Sequence, residues 1–363
     1  MTNKEKIIVE NIKRNDLEIW KDKRDVFREQ HKLKDLFLEL TLQCNLGCYH
    51  CGSRCEKNKQ DAVPTEMLIH VLNRVKETYG IDGIRIDITG GEPLLREDFF
   101  DIMKAIHELG FHFGMTSNAT LITKEVAQKL HDVGLNAIAV SIDGVESTHD
   151  RLRGMNGAYK KAMTGIQNLI DVGGFDHLNI TTVVNHETIH ELDALYDIIL
   201  DIDVDSWRIA GLEPIGRALE HKDLLLTADD WKYMLDFIYQ KRCEQMPVMY
   251  GCPHYLGIEY ERDVRDWYFL CNAGIRVASI MANGDIGACL DIERMEETIQ
   301  GNIYKDDFVD VWENRFEIFR KRLSSRSKIC KDCEHEPYCQ GDSAHSFDYD
   351  KNEPMVCLKK IQG

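Results

Sequence analysis

Six short runs rich in β-branched and aromatic residues, at 36–42, 84–89, 111–117, 137–143, 178–184 and 206–212, alternate with longer segments whose apolar residues return every three or four positions. Strands that are largely apolar and are separated by helical segments such as 65–80 and 192–202 predict a parallel sheet, because each parallel crossover needs a helix to carry the chain back. The pattern predicts an α/β chain whose residues 36–250 form a partial barrel of βα units. In such barrels the chemistry gathers on the loops after the carboxyl ends of the strands. Residues 1–35 are strongly charged with a helical period and predict a helical extension packed outside the barrel, too short for a separate recognition domain. After residue 250 the βα rhythm stops, and turns and cysteines predict a small metal-held domain over 251–363.

An apolar share of 43% with only 7 prolines excludes a disordered chain. The formal charge of -17 excludes duplex nucleic acid as a partner, since phosphate binding needs clustered Lys and Arg. No secretion signal opens the chain, and no stretch reaches the roughly 18 uninterrupted apolar residues of a membrane span. A cytoplasmic protein with no membrane partner is expected. There, thiols stay reduced, so 12 cysteines point to metal ligation rather than to disulfides.

The cysteines fall in two groups. Cys44, Cys48, Cys51 and Cys55 follow the first strand; Cys252, Cys271, Cys289, Cys330, Cys333, Cys339 and Cys357 lie near the end, with Cys243 just ahead of them. Three thiolates on one tight loop can hold three irons of a cubane cluster and leave the fourth iron open to a substrate. With Cys55 as a fourth ligand the same loop would make a closed electron-transfer cluster, and a zinc site is a third reading. The spacing of Cys44, Cys48 and Cys51 at the end of the first strand, with His50 directly before Cys51, resembles the signature of the radical SAM superfamily. The resemblance implies a partial (β/α)6 TIM-like barrel with a small C-terminal cysteine-rich iron–sulfur domain. It further implies a [4Fe–4S] cluster on Cys44, Cys48 and Cys51 whose open iron binds S-adenosyl-L-methionine (SAM), and one-electron cleavage of SAM to a 5′-deoxyadenosyl radical.

Successive strand ends carry further points of likeness. Gly90, Gly91, Glu92 and Pro93 after the second strand resemble the family's cradle for the methionyl amine, where two glycines let backbone approach a ligand closely. Asn118 after the third strand is expected at the nucleoside or substrate, and Ser141 and Asp143 after the fourth at the ribose hydroxyls. Arg153, matching the family's position better than Arg151, is expected at the methionyl carboxylate. Asn185 follows the fifth strand, and Pro214, Gly216 and Arg217 follow the sixth, where the family contacts adenine and cluster.

The distal cysteines resemble the SPASM extension of radical SAM enzymes, which implies one or two auxiliary iron–sulfur clusters. By that likeness Cys330, Cys333, Cys339 and Cys357 hold one cluster and Cys252, Cys271 and Cys289 hold another, whose last ligand is lost because Ser343 stands where the family has cysteine. Zinc would also suit the Cys330 and Cys333 pair.

The likeness implies an oxidoreductase that modifies a ribosomally made peptide by cross-linking, epimerisation or dehydrogenation. It also implies a reductant such as flavodoxin or ferredoxin and, given the short extension, a separate leader-peptide-binding partner. A small-molecule dehydrogenase and a sulfatase-type protein maturase are the alternatives, and a non-catalytic electron carrier is a third. Sulfatase maturases have an acidic base where Leu290 stands, so Asp291 is the candidate base here.

Overall fold

The computed structural model describes residues 3–242 and 244–361, so Cys243 lies outside the described residues. Helix α1 (Asn3–Gln30) leads into β1 (Asp35–Glu39), and five βα steps follow: α2 (Thr65–Tyr79), β2 (Arg85–Thr89), α3 (Phe99–Leu109), β3 (His112–Ser117), α4 (Lys124–Asp132), β4 (Ala137–Ser141), α5 (Glu146–Arg153), α6 (Ala158–Val172), β5 (His177–Val184), α7 (Leu192–Leu200) and β6 (Ser206–Gly211). The six strands lie side by side in chain order, all parallel. This is the expected partial TIM-like barrel.

The sheet runs further than the sequence pattern indicates. After α8 (Ala228–Lys241), strand β7 (Val248–Tyr250) pairs in parallel with β6, and β8 (Val277–Ile280) pairs in parallel with the other edge of β1. β9 (Asp285–Gly287) and β10 (Gly301–Asn302) then add antiparallel, completing a ten-stranded sheet. These additions are two to four residues long, too short to show a period. The expected division at residue 250 is not marked by a break in the sheet, and a single apolar core includes both Leu33 and Ile361.

The strands are also less uniformly apolar than expected. Leu36 and Leu38, Ile86 and Ile88, and Ile138 and Val140 are buried, in one core with Leu68, Leu72 and Val75 of α2 and Ile102 and Ile106 of α3. Between them stand Phe37, Asp87 and Ala139, each only partly buried, and Arg85 bridges Asp35 at 3.0 Å and Asp87 at 2.9 Å. Such alternation belongs to a barrel whose inner face is wet enough to hold charge. The N-terminal helix α1 docks on the C-terminal region, where Leu17 packs with Tyr255, Phe269 and Cys339, and the Trp20 indole donates to the Phe269 carbonyl at 2.7 Å. Among the described residues no helix is long and apolar enough to cross a membrane.

Candidate active site

The chain leaves β1 at Glu39 and turns at once into the first cysteine loop. Cys44, Cys48 and Cys55 are buried in a small apolar cluster with Leu42, Leu46, Ala158 and Ala282, and Cys51 packs against it. The neighbouring strand ends hold this loop in place. Gly47 N–H and Tyr49 N–H donate to the carbonyls of Arg153 and Leu152 at 3.0 Å each, tying the loop to the end of α5. From the loop after β6, Arg217 donates through Nε to the Cys48 carbonyl at 2.7 Å and through Nη1 to the Cys55 carbonyl at 2.9 Å. Its backbone N–H reaches the Cys51 carbonyl at 3.1 Å. Gly216 makes that approach possible: its φ is +53°, and a Cβ there would lie 2.4 Å from the Cys51 carbonyl oxygen.

The residues expected after β2 also converge on the loop. A Cβ on Gly91 would lie 2.0 Å from the Gln43 carbonyl oxygen, and Glu92 N–H donates to that carbonyl at 2.9 Å. Glu92 begins a short turn through Pro93 and is fully buried. Its carboxylate accepts from Ser117 Oγ and Asn118 N–H at 2.9 Å each. Burial pushes its pKa up to about 7, against these bonds, which favour the charged form. Asn118 donates to Asn45 Oδ1 at 3.0 Å and reaches Cys44 Sγ at 4.0 Å. Ser141 ends β4 and is half-buried.

Two expectations change in detail. Asp143, expected at a ribose, is fully buried and engaged by protein: its Oδ2 lies 2.6 Å from Arg153 Nη2 and 3.1 Å from His50 Nε2. Burial would raise its pKa, but Arg153 and His50 outweigh that and hold it well below the usual carboxylate range. Arg153 in turn lies 3.7 Å from Cys48 Sγ. The fourth strand's acid therefore orients both Arg153, beside the second cysteine, and His50 of the cysteine loop. Asn185 turns its Oδ1 back on the chain, accepting from Glu187 N–H at 2.9 Å and Thr188 N–H at 3.2 Å. Arg151 pairs on the surface with Glu187.

Burial raises the Cys48 thiol and pushes Cys44 up to about 12, so neither would carry a thiolate without a cation to offset the charge. The Cys55 thiol donates to Cys51, which lowers Cys51 and raises Cys55. His50 Nδ1 and Arg153 Nε are buried with no hydrogen-bond partner among the described residues. An all-sulfur donor set that needs cationic charge, rimmed by unsatisfied polar atoms and by glycines that leave no room for a Cβ, fits an iron–sulfur cluster with a polar ligand beside it.

The distal cysteines gather around two centres. Cys330, Cys333, Cys339 and Cys357 lie close enough to influence one another's charge, and burial raises Cys330 and, far more, Cys339. Cys271 and Cys289 are similarly coupled, and Cys252 and Cys289 both feel Asp291. Ser343 Oγ lies 3.7 Å from Cys271 Sγ, and Ala344 N–H lies 3.4 Å from it. The sequence reading missed the polar group around this centre. Glu213, at the end of the sixth-strand run, accepts from His254 Nε2 at 2.5 Å; His254 Nδ1 faces Asp342 at 3.3 Å; and His345 stands 3.8 Å from Glu213. The only hint was two histidines, each two residues from a candidate ligand position.

Between the two sulfur regions lies a cavity of about 240 Å³. Gly52 and Ser53, next to Cys51, form one wall, and Leu290 and Asp291, next to Cys289, form the other. Arg294 crosses the gap, bonding Glu39 at 2.6 Å and Ser53 at 3.2 Å. Asp291 opens to the cavity, and the surrounding protein raises its carboxyl above the ordinary value by desolvation.

Residues 38–199 match the radical SAM superfamily, and residues 271–334 match the SPASM iron–sulfur cluster-binding domain. The chain is 28% identical to an AdoMet-dependent heme synthase of Nitratidesulfovibrio vulgaris, over 88% of this chain and 91% of that protein. It is 30% identical to the mycofactocin maturase MftC of Mycolicibacterium smegmatis, over 84% of this chain and 76% of that one. Streptococcus suis SuiB bound to its precursor peptide SuiA has the same fold, with a TM-score of 0.67 at 21% identity over 86% of this chain and 73% of that one. An iron–sulfur enzyme that uses SAM is the result. This chain belongs to the radical SAM superfamily and carries a C-terminal SPASM domain.

Proposed function

We propose that this enzyme oxidises a ribosomally made peptide held between its two sulfur regions. The observation that carries the reading is the cavity walled by Gly52 and Ser53 on one side and by Leu290 and Asp291 on the other. A substrate there lies beside both sites at once, so hydrogen removal on one side and electron withdrawal on the other need no movement of the substrate. When bound on Cys44, Cys48 and Cys51, the cluster and SAM together supply a 5′-deoxyadenosyl radical that abstracts a hydrogen atom.

The chain's own residues do the rest. Gly90 against Thr41 and Gly91 against Gln43 shape a backbone cradle that turns at Pro93, Glu92 and Asn118 fix its polar side, and Ser141 stands at the next strand end. Arg153, oriented by Asp143 together with His50, presents cationic charge beside Cys48 for a carboxylate. Gly216 and Arg217 close over the cysteine loop, with Asn185 bracing the preceding turn, while Pro214 lines a separate cavity with Trp231 and Met355. Asp291, its carboxyl raised, accepts the proton released as the substrate is oxidised. Cys252, Cys271 and Cys289, with Cys330, Cys333, Cys339 and Cys357, would hold the auxiliary clusters, which would supply an electron acceptor for the oxidation. A small carrier of the flavodoxin or ferredoxin type supplies the reducing electron, and a separate protein presents the peptide's leader.

Peptide as the substrate class is supported by the likeness to MftC and to peptide-bound SuiB. The heme synthases support a second reading, in which the cavity takes an iron porphyrin. The two part in one experiment. The anaerobically reconstituted enzyme is reduced with dithionite in the presence of SAM, with either a small peptide encoded beside its gene or an iron porphyrin. The expected result is 5′-deoxyadenosine together with loss of hydrogen mass from the peptide. Conversion of the porphyrin alone would replace peptide with porphyrin, and no 5′-deoxyadenosine from fully loaded protein would overturn both.

A further inference from the structure

Ser343 removes a thiolate from the centre that holds Cys252, Cys271 and Cys289, and the surrounding geometry offers a replacement. Both ring nitrogens of His345 lie within reach of Ser343 Oγ, at 3.1 and 3.3 Å, so the imidazole edge faces the position from which a cysteine side chain would have projected. The loop carrying it is bonded to the Cys271 sulfur by Ala344 N–H at 3.4 Å and approached by Ser343 Oγ at 3.7 Å. His345 is itself buried.

The rest of the ring is held as a metal-bound imidazole is held. Metal-ligating histidines commonly turn their second nitrogen to a carboxylate, which fixes the ring and strengthens it as a ligand. Here Nε2 lies 3.8 Å from Glu213 Oε1. Glu213 is fixed in turn by His254 at 2.5 Å, and His254 is backed by Asp342 at 3.3 Å. The His254 ring also packs edge-on against His345, with centroids 5.6 Å apart. Cys252 adjoins the same glutamate. One chain of contacts thus runs from a ligand cysteine through Glu213 to His345.

We propose that His345 is the fourth protein ligand of the iron–sulfur cluster on Cys252, Cys271 and Cys289, in place of the cysteine that Ser343 displaces, and that Glu213 positions it. The inference rests on the enzyme's iron–sulfur centres and not on its substrate. Replacing a thiolate with a neutral imidazole removes a negative charge from the cluster and raises its reduction potential, as histidine ligands do in other iron–sulfur proteins. The cluster would then be a better electron acceptor than the same centre with four cysteines.

The test uses full-length enzyme labelled with 15N-histidine, reconstituted anaerobically, reduced with dithionite without SAM, and examined by pulsed electron paramagnetic resonance. The expected result is a strongly coupled 15N nucleus in one reduced cluster, lost in His345→Gln and retained in Ser343→Ala. His345→Cys controls for folding: it is expected to keep the wild-type iron content, lose the nitrogen coupling and lower the midpoint potential. The proposal is overturned by a wild type with no coupled histidine, by a coupling that survives His345→Gln, by loss of the cluster signal in Ser343→Ala, or by a His345→Cys variant that cannot hold wild-type iron. Production of 5′-deoxyadenosine in the same preparations depends on Cys44, Cys48 and Cys51, so failure of that chemistry is read separately.

Discussion

Cys44, Cys48 and Cys51 lie on one loop, and the fold's contribution is to clamp that loop from β2, β4, α5 and the end of β6. Cys252, Cys271, Cys289 and the Ser343–His345 loop come from four separate segments, and there the fold's contribution is to bring these side chains together at all. The carboxylates differ in the same sense. Glu92, beside the first region, is buried among neutral donors and its pKa rises to about 7. Glu213, beside the second, is buried against His254, which outweighs burial and lowers it. A local motif can be read as a string, whereas an assembled site is set by partners that no spacing reveals.

The sharpest way to break this comparison is to remove one sulfur from each region. Cys48→Ala is expected to abolish 5′-deoxyadenosine formation, whereas Cys271→Ala should leave its formation on dithionite reduction intact and lose product turnover; chromatography of both products decides. Next in size is Asp143→Asn. It leaves Arg153 buried without its carboxylate partner and should cost about 3–5 kcal/mol in denaturant unfolding of the apo-protein. A loss below 1 kcal/mol would mean that the clamp on the first loop does not depend on this pair.

The pH dependence separates the two glutamates. For Glu92, a folded pKa near 7 against about 4.3 in unfolded chains favours the folded state fully only below about pH 4, and that advantage disappears as pH rises through 7. Glu92→Gln should therefore flatten a decline of about 3 kcal/mol between pH 4 and 7 in apo-protein melts. Glu213, whose folded pKa is depressed, contributes in the opposite direction, with stability present above the ordinary carboxylate range and lost on acidification. Gly91→Ala forces a methyl against the Gln43 carbonyl and should lower stability by about 2 kcal/mol while reducing SAM affinity, measured by equilibrium binding. The smallest effect is expected for Cys55→Ala, about 1 kcal/mol of lost packing with 5′-deoxyadenosine formation retained.

Much of the first site was legible because the cysteine spacing resembles the radical SAM signature and βα repetition fixes where the other loops emerge, and the expected residues at 44–51, 90–93, 118, 153 and 217 meet around one loop. What escaped reading had physical reasons. Strands β7 to β10 are too short to carry a period. The engagement of Asp143 by His50 and Arg153 depends on two loops meeting above the barrel. Glu213, His254 and the loop that carries both Asp342 and His345 come from three segments far apart in the chain, and nothing local in any of them marks the others. Glu39 looks like an ordinary strand residue, yet it receives Arg294 and Ala282 N–H, tying β1 to the C-terminal region.

Arg217 holds the carbonyls of both Cys48 and Cys55, and Gly216 lies against Cys51 and Gly52. The shape of a loop made after the first strand thus depends on residues made after the sixth, so a change at Gly216 or Arg217 is felt at the cysteines as much as where it is made.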